Sequence, residues 1–289
     1  MKRLLGFLSV LALAAACSKA GHEPPAGTAS GSAAAAGSGA AVASGSATPA
    51  AAAPAPYTPA ASVPAPIRDA IAAPDRTDAD RALDAGRKPG EVLAFFHVAP
   101  GQRIGELFAG GGYTSELLAR VVGPTGAVYS ENTKELLDKF LRKPWTARMA
   151  RPAMKPVVSV ERPIDDPFPP EAKDLDAVIT ILNYHDTVAM KADRAKMNAA
   201  VFAALKPGGV YGIVDHSAAP GSGVRDAPTL HRIDEDVVKQ EVTAAGFKLD
   251  GESDVLRNPD DKRDWNGSPR AAGARRGTTD RFVLRFVKP

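Results

Sequence analysis

Two sets of residues in this 289-residue chain have types and spacing suited to chemistry. The first is the stretch ELFAGGGY at 106–113, where an acid, Glu106, ends a short apolar run and Gly110, Gly111 and Gly112 follow. Bare glycines let a ligand approach the main chain without a Cβ in the way. A helix opening just after them turns its unpaired N–H groups toward that ligand. A carboxylate in front of such a turn complements a cation better than a diphosphate. The dinucleotide fingerprint needs Gly-x-Gly-x-x-Gly, which contiguous glycines do not supply. A second acid, Glu131, lies about 20 residues beyond the glycines, where an acidic side chain can hold both ribose hydroxyls. The ligand these residues call for is a positively charged nucleoside.

The second set is rich in histidine: Asn183, Tyr184, His185 and Asp186 in one run, Asp215 and His216 in another, His231 beyond them. In an open parallel sheet ligands sit past the carboxyl ends of the strands, so side chains just after a strand face the crevice. A histidine there can act as a general base oriented by a neighbouring acid. His185 is the expected base and Asp186 its orienting partner, with His216 a further catalytic candidate. A purely structural role, in which His185 and Asp186 cap the next helix or bond within their loop, stays equally open. His97, before Ala99 and Pro100, reads as a packed side chain, and His22 falls in a low-complexity segment.

The elements that must position these residues alternate. Strands are expected at 103–108, 127–130, 157–160, 175–182 and 210–214, and helices at 114–122, around 134–141, at 191–205 and at 233–245. The run 175–182 is continuously apolar, as in a strand buried on both faces. The sequence KPGG at 206–209 ends a helix. Segments 248–256 and 281–287 read as two last strands with no helix between them. A helical stretch at 78–96, broken near 88–90, precedes the sheet. The pattern predicts an α/β fold: a Rossmann-like, doubly wound, seven-stranded sheet, mostly parallel with one antiparallel strand near the C-terminus. The mixed-charge segment 258–276, with Trp265, reads as a solvated insertion or, second, as a substrate-recognition element, and Gly221 and Gly223 as hinges of a lid.

The N-terminus has a different character. A basic start, an apolar stretch at 4–16 too short to span a bilayer, and small residues before Cys17 read as a secretory signal. Its end resembles the lipobox of bacterial lipoprotein precursors, which implies cleavage before Cys17 and lipidation of that cysteine. The implied location is the periplasmic face of the outer membrane, with membrane contact by the lipid anchor only. Cys17 is the only cysteine, so a disulfide framework is excluded. Residues 18–66 are mostly Ala, Gly, Ser, Pro and Thr and are expected to form a disordered tether, leaving 67–289 as the folded domain. A net charge of +3 without a long basic run argues against nucleic acid as a partner. No protein partner is evident.

The segments ELFAGGGY (106–113), NYHD (183–186), DH (215–216), LHRID (230–234), RNPD (257–260) and LKPGG (205–209) together resemble the class I S-adenosylmethionine-dependent methyltransferases. In particular they are similar to a bacterial group of predicted methyltransferases, over about residues 78–289. The resemblance implies S-adenosylmethionine as cofactor, held by Glu106, Gly110, Gly111, Gly112, Glu131 and Asn183, and methyl transfer to a small-molecule or envelope acceptor. Many members carry a glycine where Phe108 stands, so the loop is expected to be more open or the phenyl ring to pack under the cofactor. At the adenine-binding segment Arg162 and Pro163 occupy the usual acid and N–H donor positions. Asp165 or Asp166 is expected to substitute, with Asp165 carried as the candidate. The histidines with Asp186 and Asp215 could bind a divalent metal, as in some O-methyltransferases. Their spacing follows no recognised ligand pattern, and no metal is expected. A tethered, non-catalytic protein with a nucleoside pocket is the alternative reading.

Overall fold

The computed structural model describes residues 56–289. The signal segment, Cys17 and most of the expected tether lie outside the described residues. The end of that tether is not disordered, as the composition suggested. Tyr57 donates its hydroxyl to Glu91 and accepts the Gly90 N–H at 2.9 Å, and Val63 is buried in the core. Ile67 and Ile71 then sit on the inner face of helix α1 (Ala65–Ala72). A few apolar side chains among the prolines are enough to fix the segment, so the folded part begins before residue 67.

Seven strands form one sheet: β1 (Arg103–Leu107), β2 (Ala127–Asn132), β3 (Val157–Glu161), β4 (Leu175–Ile181), β5 (Leu205–His216), β6 (Lys248–Glu252) and β7 (Arg281–Val287). Their order is β3-β2-β1-β4-β5-β7-β6. All neighbours are parallel except β7, which runs antiparallel to both β5 and β6. One antiparallel strand near the C-terminus is the expected pattern. The order reverses between β1 and β4, and a crevice opens there at the carboxyl ends of the strands. The two faces bury separate apolar clusters, one around Ile67, Leu93, Leu118 and Val283, the other around Val178, Val201, Val242 and Phe286.

Helices α2 (Asp78–Arg87) and α3 (Pro89–Phe95) are separated at Lys88, which takes φ 43°, so the interruption near 88–90 is a sharp turn between two helices. Helix α4 (Tyr113–Val122) begins directly after Gly112. Beyond β2 a one-turn helix α5 (Lys134–Leu136), a π-turn and α6 (Arg142–Met149) make a longer helical stretch than expected. The short α7 (Asp186–Ala189) leaves β4, and α8 (Arg194–Ala204) leads to β5. That strand starts earlier than its apolar run because Leu205 pairs with Leu175 ahead of the KPGG irregularity. Helices α9 (Ala227–Leu230) and α10 (Glu235–Ala244) flank His231, and α11 (Pro269–Ala272) lies in the 258–276 segment. Among the described residues no helix is long and apolar enough to cross a membrane.

Candidate active site

A cleft of about 550 Å³ opens over the carboxyl ends of β1, β4 and β5. That is within the range of small-molecule and cofactor sites. One wall is the glycine loop. Glu106, one residue from the end of β1, is 4% exposed and lines the cleft. Its Oε2 accepts the hydroxyls of Ser115, and of Ser130 at 2.7 Å, while among the described residues no donor reaches Oε1. Burial pushes its pKa up to about 7, against the two serine hydrogen bonds and Arg87, which lower it.

The loop after β1 is held by groups from the neighbouring strands. Phe108 N–H donates to Glu131 Oε2 at 3.1 Å, Ala109 N–H to the Glu131 carbonyl at 2.8 Å, and Gly110 N–H to Asn132 Oδ1 at 2.9 Å. Asn183 Nδ2 donates to the Phe108 carbonyl at 3.3 Å, and Arg148 Nε to the Gly111 carbonyl at 3.1 Å. Gly111 lines the cleft and has open space where a Cβ would stand. Gly112 has φ 83°, and a Cβ there would come within 2.7 Å of Arg148. Phe108 takes a left-handed φ of 53°, which a glycine would adopt freely, and its ring is buried in the second apolar cluster.

Of the expected cofactor residues, Gly112, Glu131 and Asp165 do not line the cleft. Glu131 is fully buried inside β2 and does not line the cleft, because the Phe108–Gly110 backbone covers it. Its Oε1 is buried without any hydrogen-bond partner. Burial pushes its pKa up to about 8, the Phe108 N–H pulls it down, and the charge of Glu106 raises it further. Asp165 is not brought to the cleft either. Ile164 and Phe168 on either side of it are buried in the second core cluster, and the nearby Arg162 pairs with Asp166.

The opposite wall is built from histidines. Asn183, His185, Asp186, His216 and His231 all line the cleft. The partner that orients His185 is Asp215 rather than Asp186. Fully buried Asp215 receives His185 Nδ1 at 2.7 Å and the His185 N–H at 2.7 Å, and it also accepts the N–H of His216. His185 Nε2 faces His231 Nδ1 at 3.1 Å and Asp186 Oδ1 at 3.2 Å. Burial opposes charge on His185, but Asp215 and Asp186 outweigh it and hold its pKa up to about 10. The same histidines hold Asp186 well below the usual carboxylate range against its own burial. Asp215 occupies Nδ1 of His185, so Nε2 is the ring nitrogen that faces Asp186 and His231. His216 is neutral: burial and the nearby cations push its pKa well down, and Nδ1 bonds to Thr279 at 2.7 Å.

Two parts of the chain missed as site elements complete the cleft. Helix α2 contributes Asp80, Leu83, Gly86 and Arg87, and the C-terminal segment contributes Gly267, Ser268, Pro269, Arg276, Gly277 and Arg281. Arg148 forks onto Asp80 at 2.6 and 2.8 Å, and Arg76 onto Asp84 at 2.7 and 2.8 Å. Asp80 and Asp84 share one helix face by their spacing, the one sequence signal that marked this helix. The segment 258–276 is exposed over much of its length but is pinned to the domain at several points. Buried Arg232 and the covered side chain of Asp261 form a forked ion pair at 2.8 and 3.2 Å. Trp265 donates Nε1 to Asp261 at 2.8 Å, and Arg275 stacks 4.2 Å from its ring centre. Gly86 and Gly277 meet backbone to backbone, since a Cβ on Gly86 would lie 3.0 Å from Gly277 Cα. None of 221–223 lines the cleft.

Comparison of the sequence with protein-family models and with curated proteins gives no match. By structure, the chain is similar to a SAM dependent methyltransferase from Aquifex aeolicus, with TM-score 0.53 and 16% identity over 73% of this chain and 95% of that one. It is also similar to a putative sarcosine dimethylglycine methyltransferase from Galdieria sulphuraria, with TM-score 0.50 and 14% identity over 73% and 87% of the two chains. The fold is that of the S-adenosylmethionine-dependent methyltransferases. The likeness is one of fold, and what the cleft binds must be argued from its own residues.

Proposed function

We propose that the chain is an S-adenosylmethionine-dependent methyltransferase acting on a small-molecule or envelope acceptor. The observation that carries this reading is Glu106: a buried carboxyl group at the switch point of the sheet, with one oxygen unpaired toward the cleft and bare glycine backbone beside it. A cationic ligand stabilises its ionised form and offsets the desolvation that raised its pKa. The cofactor, when bound, supplies an electrophilic methyl carbon on a sulfonium. Glu106 would hold its amino group, and Gly110 and Gly111 would give its chain backbone room. The orphaned Glu131 Oε1 is an acceptor that ribose hydroxyls would satisfy once the Phe108–Gly110 segment shifts.

At the other wall, Asp186 and His231 face the acceptor. Among the described residues no partner reaches His231 Nε2, so it is the ring nitrogen open to an acceptor proton. His185, locked by Asp215, holds Asp186 and His231 in place. Helix α2 and the 267–277 segment cover the cleft and limit water. Calorimetry with S-adenosylmethionine and S-adenosylhomocysteine tests the reading: binding should be lost in Glu106→Ala, and no heat with either ligand would remove it.

The leader-like N-terminal sequence supports an activity outside the cytoplasm, with Cys17 as lipid anchor and the 18–55 segment as tether. Labelled fatty acid should enter the wild-type chain and not Cys17→Ala. Because the cofactor is made inside the cell, the leader also favours a second reading, a tethered nucleoside-binding protein without turnover. Binding with no methyl transfer to any acceptor in a broad panel would select it.

A further inference from the structure

We infer that His185, Asp186 and His231 form a binding site for a divalent first-row transition-metal ion on the cleft wall. Their donor atoms make a nearly equilateral triangle. His185 Nε2 and His231 Nδ1 are 3.1 Å apart, His185 Nε2 and Asp186 Oδ1 3.2 Å, and His231 Nδ1 and Asp186 Oδ1 3.3 Å. Ligands about 2.1 Å from a common ion lie about 3.0 Å apart at right angles and about 3.4 Å apart in a tetrahedron. The observed edges fall between those limits. Among the described residues this is the one group of three such side chains whose donor atoms converge.

Hydrogen bonding alone accounts poorly for the arrangement. Only the His185–His231 edge has hydrogen-bond geometry, and it sets two ring nitrogens facing each other with a carboxylate oxygen beside them. A ring nitrogen carries one proton or one lone pair in one direction, so it cannot serve two edges of a triangle. Three lone pairs aimed at one point are what a cation needs.

The surroundings support the donors as a metal site requires. Asp215 binds His185 Nδ1 at 2.7 Å and leaves Nε2 as the ligating nitrogen, the carboxylate–histidine pairing typical of metal centres. His231 is fixed in a left-handed turn, φ 51°, directly before buried Arg232 with its Asp261 pair. All three donors line the cleft, so the remaining coordination positions open toward a ligand there. Two imidazoles and one carboxylate suit zinc, iron, cobalt or nickel rather than magnesium or calcium. The inference goes beyond methyl transfer and stands whether or not the cleft takes S-adenosylmethionine.

The test is a titration of the untagged, chelator-stripped full chain with Co²⁺, followed by calorimetry and by visible absorption, with Mg²⁺ and Ca²⁺ as controls. One equivalent should bind with micromolar affinity or tighter and produce ligand-field bands, and the controls should give neither. His185→Ala leaves Asp215 buried without its partner and risks misfolding, so His231→Ala and Asp186→Asn are the informative variants. Each should weaken Co²⁺ by about a hundredfold or more with an unchanged circular dichroism spectrum. Absence of stoichiometric binding to the folded wild-type chain overturns the inference, as does wild-type affinity in His231→Ala.

Discussion

On the glycine-loop wall, the contacts among Glu106, Phe108, Gly110, Ser130, Glu131 and Asn132 join residues 22 to 24 positions apart on two adjacent parallel strands. On the histidine wall the partners are more distant: 30 positions for His185 and Asp215, 46 for His185 and His231, 63 for His216 and Thr279. The first wall is mostly one strand–turn–helix unit with its neighbour, with two distant ties, Arg148 on the Gly111 carbonyl and Asn183 on the Phe108 carbonyl. The second is drawn from β4, β5, the turn after α9 and the segment before β7. A unit of the first kind keeps its geometry when distant parts of the molecule change. One of the second kind depends on whatever pins each contributor.

That difference can be broken most severely at Arg232. With Asp261 it forms a pair that is 0% and 1% exposed, and removing one partner of a buried pair leaves the other charged and unpaired. Arg232→Met should lower unfolding stability by about 3–5 kcal/mol in denaturant titration. Proteolysis should then cut within 258–278 before it cuts the glycine loop. Equal protection of the two regions would show that the walls are not separable.

Glu106→Gln should act in the opposite sense on stability and function. The free carboxyl titrates near 4.5 and the folded one near 7, so the wild type loses stability progressively as pH rises through that interval. The variant, which never ionises, should be no more stable than wild type below pH about 4 and roughly 3 kcal/mol more stable above pH about 7. Its affinity for S-adenosylmethionine should fall by about 10- to 100-fold with the loss of a charge-assisted hydrogen bond. Wild-type affinity should weaken as pH falls below about 7 and the group takes up its proton. A stability difference that does not change with pH would contradict the assignment.

Gly86→Ala should have an intermediate effect. Its Cβ would meet Gly277 backbone at 3.0 Å, where nothing flexible can yield, so a loss of about 1–3 kcal/mol is expected in thermal unfolding. The disturbance should fall on the far rim of the cleft and leave cofactor affinity within about twofold. Asp165→Asn should do least: stability within about 0.5 kcal/mol of wild type and ligand binding unchanged by calorimetry.

The same contrast explains what could be read from the sequence. The ELFAGGGY stretch carries its structure locally, through a β-to-helix change of period around three glycines, and the sheet with its single antiparallel strand followed from alternation. Glu131 was rightly placed beside the loop, but its direction depends on whether the Phe108 N–H or a ligand takes its carboxylate, which no spacing encodes. The orienting role of Asp215 was hidden because Asp186 adjoins His185 in the chain while Asp215 adjoins it only across the sheet. The segment 258–276 looked solvated because much of it is, and because its anchors, such as Arg232 on Asp261 and the Thr229 carbonyl on Asn266, lie 29 and 37 positions away in the chain.

Phe108 holds one further consequence. A side-chain-bearing residue in a left-handed conformation stores about 1–2 kcal/mol, and here the Glu131 carboxylate and the ring's burial hold it down. A guest that drew Glu131 away from the Phe108 amide would also remove the hydrogen bond that holds that residue in its left-handed turn.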